Sequence, residues 1–295
     1  MKIPAPVISR CLRAIAADWE LAHTKSLSRR TTLLHIRSAD GIKREIILQT
    51  HSERDRGRNP HIARDEFRLL LALQKSALPA AQPLRLEAAH TPPFFLLARL
   101  PGAVQSAANP QTLAATLQSI HAVSWRRLGL DFLPQATALL TSDLGTGKCD
   151  SLGICAALTY ALPRLSVNPP ALLHGDFWLG NLLWVDGQLS GIIDWEDAML
   201  GDPLADLGKS RLELLWSLGA AAMMRYTAAY LALNPALDAR ALPFWDLWGA
   251  LRLAHFANFA ADTATAARMW RQYQQFCASS LSCPPGIPPR LDSAS

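Results

Sequence analysis

The polar residues between His174 and Asp194 have the types and the spacing that phosphate transfer requires. Asp176 lies in a His-Gly-Asp segment, Asn181 follows it by five residues, and Asp194 comes after a short apolar stretch. Transfer of a phosphate group needs one carboxylate to orient the acceptor hydroxyl and oxygen ligands to hold magnesium against the phosphates. The pattern therefore indicates that Asp176 serves the hydroxyl, while Asn181 and Asp194 serve the metal.

Apolar residues flank these polar groups and predict the strands that position them. The predicted strands are 171–173, 182–185 and 189–193, and Asp186-Gly187 between the last two is typical of a hairpin turn. The hairpin would return Asp194 to the neighbourhood of Asn181. Rigid placement matters because most of the rate gain in such reactions comes from positioning and electrostatic stabilisation.

The first hundred residues predict a small β-rich lobe with one main helix. Alternating apolar residues predict strands at 31–37, 43–50, 84–87 and 94–98. The main helix is predicted over 62–78, a short amphipathic helix over 8–22, and a polar loop over 51–60. The strands and helices follow from local periodicity, and the loop follows from its polar composition.

From residue 101 the pattern becomes mostly helical. Helices are predicted at 111–125, 152–165, 204–217, 220–233, 243–260 and 263–280. We therefore expect an α+β protein with two lobes, an N-terminal one (1–100) that clamps a nucleotide and a helical C-terminal one (101–283), followed by a flexible tail (284–295). The helical lobe would carry the catalytic loop and the acceptor site.

Composition excludes several classes of protein. Hydrophobic residues make up 50% of the chain and charged residues 18%, which argues against disorder. No apolar run reaches the ~20 residues that a membrane helix needs, and the N-terminus is a poor signal peptide, so a cytoplasmic protein is expected. Residues 1–100 hold 17 Lys+Arg against 9 Asp+Glu, but without an arginine-rich tract interleaved with aromatic residues we expect no nucleic-acid partner.

Three segments resemble the aminoglycoside phosphotransferase and choline kinase-like family, which has the protein-kinase-like fold. His174–Asn181 matches the family's His-Gly-Asp-x-x-x-x-Asn loop, Ile193–Glu196 its Ile-Asp-Trp/Phe-Glu segment, and Gly201–Leu207 its Gly-Asp-Pro-x-x-Asp-Leu segment. The resemblance implies ATP (or GTP) and magnesium as cofactors. It also implies that a hydroxyl of a small molecule receives the γ-phosphate.

The resemblance assigns roles to single residues in the second lobe. It implies that Asp176 is the catalytic base, that Asn181 and Asp194 ligate magnesium, and that Asp206 braces the catalytic loop. Two further carboxylates, Glu196 and Asp197, would either face a cationic substrate or cap the following turn.

In the first lobe the resemblance places the nucleotide. The adenine would contact the backbone of Ala98, Arg99 and Leu100, and Glu66 would face the nucleotide from the main helix. The family's second strand normally ends in a Lys or Arg that reaches the phosphates and pairs with this glutamate, but here Gln49 stands at that position.

The loop expected at the phosphates also departs from the family pattern. Residues 27–32 contain no glycine, although Arg29 and Arg30 lie among them and can supply positive charge. Two functions therefore remain open. One is a small-molecule kinase, and the other is a degenerate kinase fold that binds a nucleotide or a partner without turnover.

Overall fold

The computed structural model describes residues 3–145, 152–255 and 260–282. Contacts between residues divide the chain into two compact units. The first unit comprises Met1–Ala103, Leu128–Phe132 and Leu182–Glu196, and the second Val104–Arg127, Leu133–Asn181 and Asp197–Ser295. The first unit thus includes residues 182–196, which lie beyond the predicted lobe boundary. The predicted tail, 284–295, lies outside the described residues.

The described residues form both helices and strands, which confirms the α+β prediction. Helices α1–α10 span Ala5–Ile15, Glu53–Arg58, Ile62–Leu73, Pro110–His121, Ala136–Gly145, Ile154–Ala161, Leu204–Leu218, Ala220–Leu233, Leu242–Arg252 and Thr263–Leu281. Strands β1–β9 span Glu20–Ser26, Thr31–Arg37, Lys43–Thr50, Pro83–Glu87, Phe94–Ala98, Ala171–Leu173, Leu182–Val185, Gln188–Ile192 and Met199–Gly201. No helix among the described residues is both long enough and apolar enough to cross a membrane.

The first unit is built on an antiparallel sheet of five strands in the order β1-β2-β3-β5-β4. Residues on one face of β2, β3 and β5 are buried against α1, because alternate positions such as Leu34, Ile46 and Leu96 are apolar. The predicted strands 31–37, 43–50 and 94–98 are confirmed. This register brings Gln49 opposite Thr31 and Ile46 opposite Ala98.

Two predictions at the start of the chain are wrong. The helix predicted over 8–22 ends at Ile15, and β1 begins at Glu20. β1 is largely exposed and lacks a clear alternating pattern. Backbone pairing with β2, rather than an apolar face of its own, keeps it extended. The loop predicted over 51–60 contains α2, whose first turn is closed by reciprocal hydrogen bonds between Ser52 and Asp55.

The main helix of the first unit, α3, begins as predicted but stops at Leu73 rather than 78. Its end is set by Gln74, whose Nε2 donates to the carbonyl oxygens of Leu70, Ala80 and Ala81. The side chain thereby joins the end of the helix to the segment that follows it. α3 carries Glu66 on its buried side.

The hairpin β7–β8 belongs to the first unit. Asp186 and Gly187 form its turn with φ of 49° and 78°, which is typical of a two-residue hairpin loop. Bridges Ala80–Ile192 and Ala103–Trp184 join the hairpin to the rest of the unit. Asp194 therefore follows directly on a strand that is fixed at its end.

In the second unit, α7 and α9 pack closely because each has a glycine at the contact. A Cβ added at Gly208 would come within 2.6 Å of the Trp245 carbonyl carbon, and one at Gly249 within 2.6 Å of the Lys209 Cα. β6 pairs with β9, and neither β9 nor α5 was predicted. The buried Trp245 and Trp248 belong to the core of this unit.

Candidate active site

A cavity of about 240 Å³ lies beside the sheet in the first unit. Six of the predicted site residues line this cavity. Three are the residues expected at the adenine, Ala98, Arg99 and Leu100, and three are polar, Gln49, Glu66 and Asp194. The remaining walls are mostly apolar, from Ile47, Leu97 and Ile192 among others. The structure thus brings all the first-unit residues of the predicted nucleotide site to one cavity.

Gln49 and Glu66 do not contact each other as a lysine and a glutamate would. The Oε1 atom of Gln49 accepts a hydrogen bond from Thr31 Oγ1 at 2.9 Å. Glu66 instead pairs with His51, whose Nε2 lies 2.7 Å from Oε2 of Glu66, and both side chains are buried. His51, two residues beyond Gln49, therefore takes the place of the expected strand cation as the partner of Glu66.

The turn between β1 and β2 keeps its shape without glycine. The Ser28 Oγ atom accepts hydrogen bonds from the backbone N–H groups of Arg30 and Thr31 at 3.1 and 3.0 Å. A serine side chain thus replaces the conformational freedom that glycine would supply. The turn holds Arg30 next to Thr31, which lines the cavity.

Arg30 interacts with three carboxylates of the first unit. Its Nη2 lies 3.1 Å from Oδ2 of Asp194, and its Nη1 contacts Oε1 of Glu196 and lies 3.9 Å from Oδ2 of Asp55. Asp194 has a φ of 65°, which turns its side chain out of line with the preceding strand. The sequence indicated Arg30 as a source of charge but not these partners.

In the second unit, Asp206 holds the backbone of the loop that follows β6. Its Oδ2 accepts a hydrogen bond from His174 N at 2.6 Å and its Oδ1 one from Gly175 N at 2.8 Å. Burial alone would raise the pKa of Asp206, but the neighbouring His121 and these N–H donors hold it below its ordinary value. The bracing role predicted for Asp206 is confirmed.

The same loop depends on Gly175. This residue has a φ of 79°, and an added Cβ would come within 2.0 Å of the carbonyl oxygen of Asp197. Only glycine fits such a conformation and such a close approach. The loop is thereby pressed against the turn that carries Asp197.

Both carboxylate oxygens of Asp176 are held. Oδ1 forms an ion pair with the Lys209 ammonium, and Oδ2 accepts a hydrogen bond from Nδ2 of Asn181 at 3.0 Å. Burial would raise the pKa of Asp176, but Lys209, with smaller contributions from His174 and Arg252, lowers the pKa to about 2. No motif singled out Lys209; its only sequence signal is that it follows Asp206 by three residues, so the two share a helix face.

Asp197 forms an ion pair with Arg252, at 3.5 Å between Oδ2 and Nη2. The predicted alternatives for Glu196 and Asp197 were a cationic substrate or a turn cap. In the structure both lie in a short helical turn, Trp195–Asp197, and an arginine holds each carboxylate, Arg30 in the first unit and Arg252 in the second.

The donors expected at magnesium have suitable chemistry. Among residues 3–145, 152–255 and 260–282 no three His, Cys, Asp or Glu side chains cluster as a metal site. Magnesium commonly takes only one or two protein oxygens and completes its shell with phosphates and water. The Asp194 carboxylate in the first unit and the Asn181 amide oxygen in the second, whose NH₂ group is used by Asp176, are each a donor of the kind that magnesium takes.

Two curated relatives share part of their sequence with this chain. Acyl-CoA dehydrogenase family member 10 of Mus musculus is 26% identical over 204 residues, which cover 60% of this chain and 19% of that protein. Viomycin phosphotransferase of Streptomyces vinaceus is 29% identical over 146 residues, which cover 39% of this chain and 48% of that enzyme. The matches thus span about a fifth and about half of the relatives' lengths.

A solved structure has the same fold. Aminoglycoside phosphotransferase APH(4)-Ia, in a ternary complex of a thermostable mutant with AMP-PNP and hygromycin B, superposes with a TM-score of 0.62 at 16% identity and covers 95% of this chain and 99% of that one. This likeness confirms the predicted kinase-like fold. At the sequence level, residues 35–243 match the model of the phosphotransferase enzyme family, APH, and the chain belongs to that family.

Proposed function

We propose that this protein transfers the γ-phosphate of ATP (or GTP) to a hydroxyl group of a small molecule, with magnesium as the metal. The observation that carries the proposal is the doubly fixed position of Asp176. Asp206 holds the loop backbone on one side, and Lys209 and Asn181 hold the carboxylate on the other. A group that only stabilised the fold would not need both oxygens fixed at a partly exposed loop.

Asp176 would act on the acceptor hydroxyl. With a pKa of about 2 it is ionised at neutral pH, so its oxygens can accept the hydrogen bond of the hydroxyl. So weak a base removes the proton only as the new bond to phosphorus forms, and its main contribution is to orient the hydroxyl. The acceptor oxygen would bond to the γ-phosphorus as the bond from that phosphorus to the β,γ-bridging oxygen breaks, so that ADP (or GDP) leaves and the hydroxyl proton passes to Asp176.

The first-unit cavity would receive the nucleotide. The backbone of Ala98 to Leu100 would face the adenine edge, and the apolar walls suit its faces. Asn181 and Asp194 are the proposed magnesium ligands, because both offer oxygen donors. Magnesium, when bound, would neutralise charge on the phosphates. AMP-PNP in the similar structure supports a nucleotide in this chain.

The acceptor would not be a polycation. Asp197, one of the two carboxylates expected to face one, is held by Arg252. Burial, with a smaller contribution from the charge of Asp176, raises the pKa of Glu213 to about 7, so this carboxyl is only partly ionised at neutral pH. Polycation recognition uses several unpaired carboxylates. A neutral hydroxylated acceptor suits these residues better.

A second candidate function is nucleotide binding without turnover. It is favoured by Gln49 at the position of the expected cation and by the pairing of Glu66 with His51. The enzyme needs Asp176 and magnesium for its reaction, whereas the binding module needs neither.

A thermal-shift titration with ATP or GTP, with and without magnesium, separates the two. We expect the melting temperature to rise with nucleotide only when magnesium is present. ADP release across a panel of hydroxylated compounds then identifies the acceptor. A shift indifferent to magnesium, together with no ADP release above the protein-free rate, would support the second candidate.

A further inference from the structure

We propose that Arg30 is the cation that binds the nucleotide phosphates, in place of the strand lysine that this chain lacks. The inference rests on the proposed function, since it concerns the same nucleotide cavity. In this view the turn between β1 and β2 binds phosphate through the Arg30 side chain, because it lacks the glycines whose backbone N–H groups could do so.

The position of the missing lysine cannot supply the charge. Gln49 is neutral, and its Oε1 is held by Thr31. His51 is the nearest substitute along the strand, but its side chain is buried and its Nε2 is engaged by Glu66. Arg99, which lines the cavity at its adenine end, forms an ion pair with Glu45 on the strand surface. Phosphates in this cavity therefore need another cation.

Arg30 is held beside two residues that line the cavity, Thr31 and Asp194, by both its backbone and its side chain. Its carbonyl oxygen accepts hydrogen bonds from Thr50 N at 2.8 Å and from Thr50 Oγ1 at 3.0 Å, and its N–H donates to Ser28. Its guanidinium reaches Asp194, which lines the cavity, and the Arg30 side chain remains 27% exposed. The group is thus anchored, charged and accessible.

The present partners of Arg30 are groups that phosphates can replace. Guanidinium binds carboxylates and phosphates through the same planar fork of N–H donors. Here the fork holds Asp194, the proposed metal ligand, and Glu196, whose second oxygen, Oε2, has no hydrogen-bond donor among the described residues. Exchange of these carboxylates for phosphates would bind the nucleotide and release Asp194 toward the metal.

The test compares the affinities of ATP with magnesium and of adenosine, measured by isothermal titration calorimetry on the full chain. Arg30→Ala should weaken ATP binding by about tenfold to a hundredfold, the usual effect of losing charge-assisted hydrogen bonds. It should leave adenosine affinity within about twofold, because adenosine has no phosphates. Arg30→Lys should fall between Arg30→Ala and the wild type, and Arg29→Ala, which removes the exposed neighbouring arginine, should match the wild type.

The outcomes separate this inference from the proposed function. Unchanged ATP affinity in Arg30→Ala, or an equal loss for ATP and adenosine, would overturn the role of Arg30 while leaving the nucleotide site standing. A wild-type protein that binds neither compound would instead contradict the proposed function and the inference together.

Discussion

Lys209 of α7 forms an ion pair with Asp176 of the catalytic loop. The lysine side chain is buried, and its helix lies against α9 through Gly249. A cation held so firmly keeps Asp176 ionised and limits its rotation. Lys209 is therefore a positioning residue for the proposed base.

Replacement of this lysine, Lys209→Met, should raise the pKa of Asp176, because the burial that opposes ionisation remains and the compensating charge is lost. The acid limb of the pH–rate profile of magnesium-dependent ADP release should then move to higher pH. The exposed Lys75→Met is the control and should keep the wild-type profile. Equal profiles for Lys209→Met and the wild type would show that Lys209 does not act on Asp176.

The same variant has a stability signature. The pKa of Asp176 is lower in the folded protein than in the unfolded chain, where it is about 4. The ionised, paired carboxylate therefore stabilises the fold at pH values above about 4, and this contribution is lost as the pH falls through about 2. Urea denaturation should show Lys209→Met to be less stable by about 2 kcal/mol at pH 7. The deficit should shrink toward pH 3.

Asp206 should be needed for both stability and transfer. Asp206→Asn keeps one acceptor but not the charge that receives the N–H groups of His174 and Gly175. We expect a loss of about 1–3 kcal/mol in the free energy of unfolding, as for a buried charge-assisted network. Asp186→Asn, in the exposed hairpin turn where asparagine tolerates positive φ, should cost almost nothing. A wild-type unfolding curve for Asp206→Asn would disprove the bracing role.

The ion pair with Arg252 should keep the Asp197 carboxylate from binding a polycation. Arg252→Gln frees the carboxylate, so binding of a polycationic aminoglycoside should strengthen by about fivefold at low salt, or about 1 kcal/mol. Binding of a neutral polyol should not change. Calorimetric titration at two salt concentrations measures both, and tight polycation binding by the wild type would contradict the assignment of a neutral acceptor.

Most of the sheet and of the late helices could be predicted because their periodicity is local. Strands β2 and β3 alternate clearly, and α8 was predicted at its observed bounds, Ala220–Leu233. β1 was missed because pairing with a distant strand, rather than its own sequence, makes it extended. α2 was missed although its Ser52-x-x-Asp55 capping box was readable in the sequence.

The catalytic loop could be predicted in part because its polar residues lie close together in the chain. Asp206 follows the loop that it braces by only 32 residues in the chain, counted from His174. The ion pairs were not predictable in the same way. Lys209, Arg30 and Arg252 find their partners through tertiary packing, which leaves no fixed spacing in the sequence.

The proposed base gives the most direct test of the account. Magnesium-dependent phosphate transfer, followed as ADP release with the best acceptor of the panel, should fall by about 10²-fold or more in Asp176→Asn and Asp176→Ala. Circular dichroism and ATP binding should show that both variants remain folded and retain the nucleotide site. Full transfer activity in either variant would contradict the assignment of Asp176 and with it the proposed reaction.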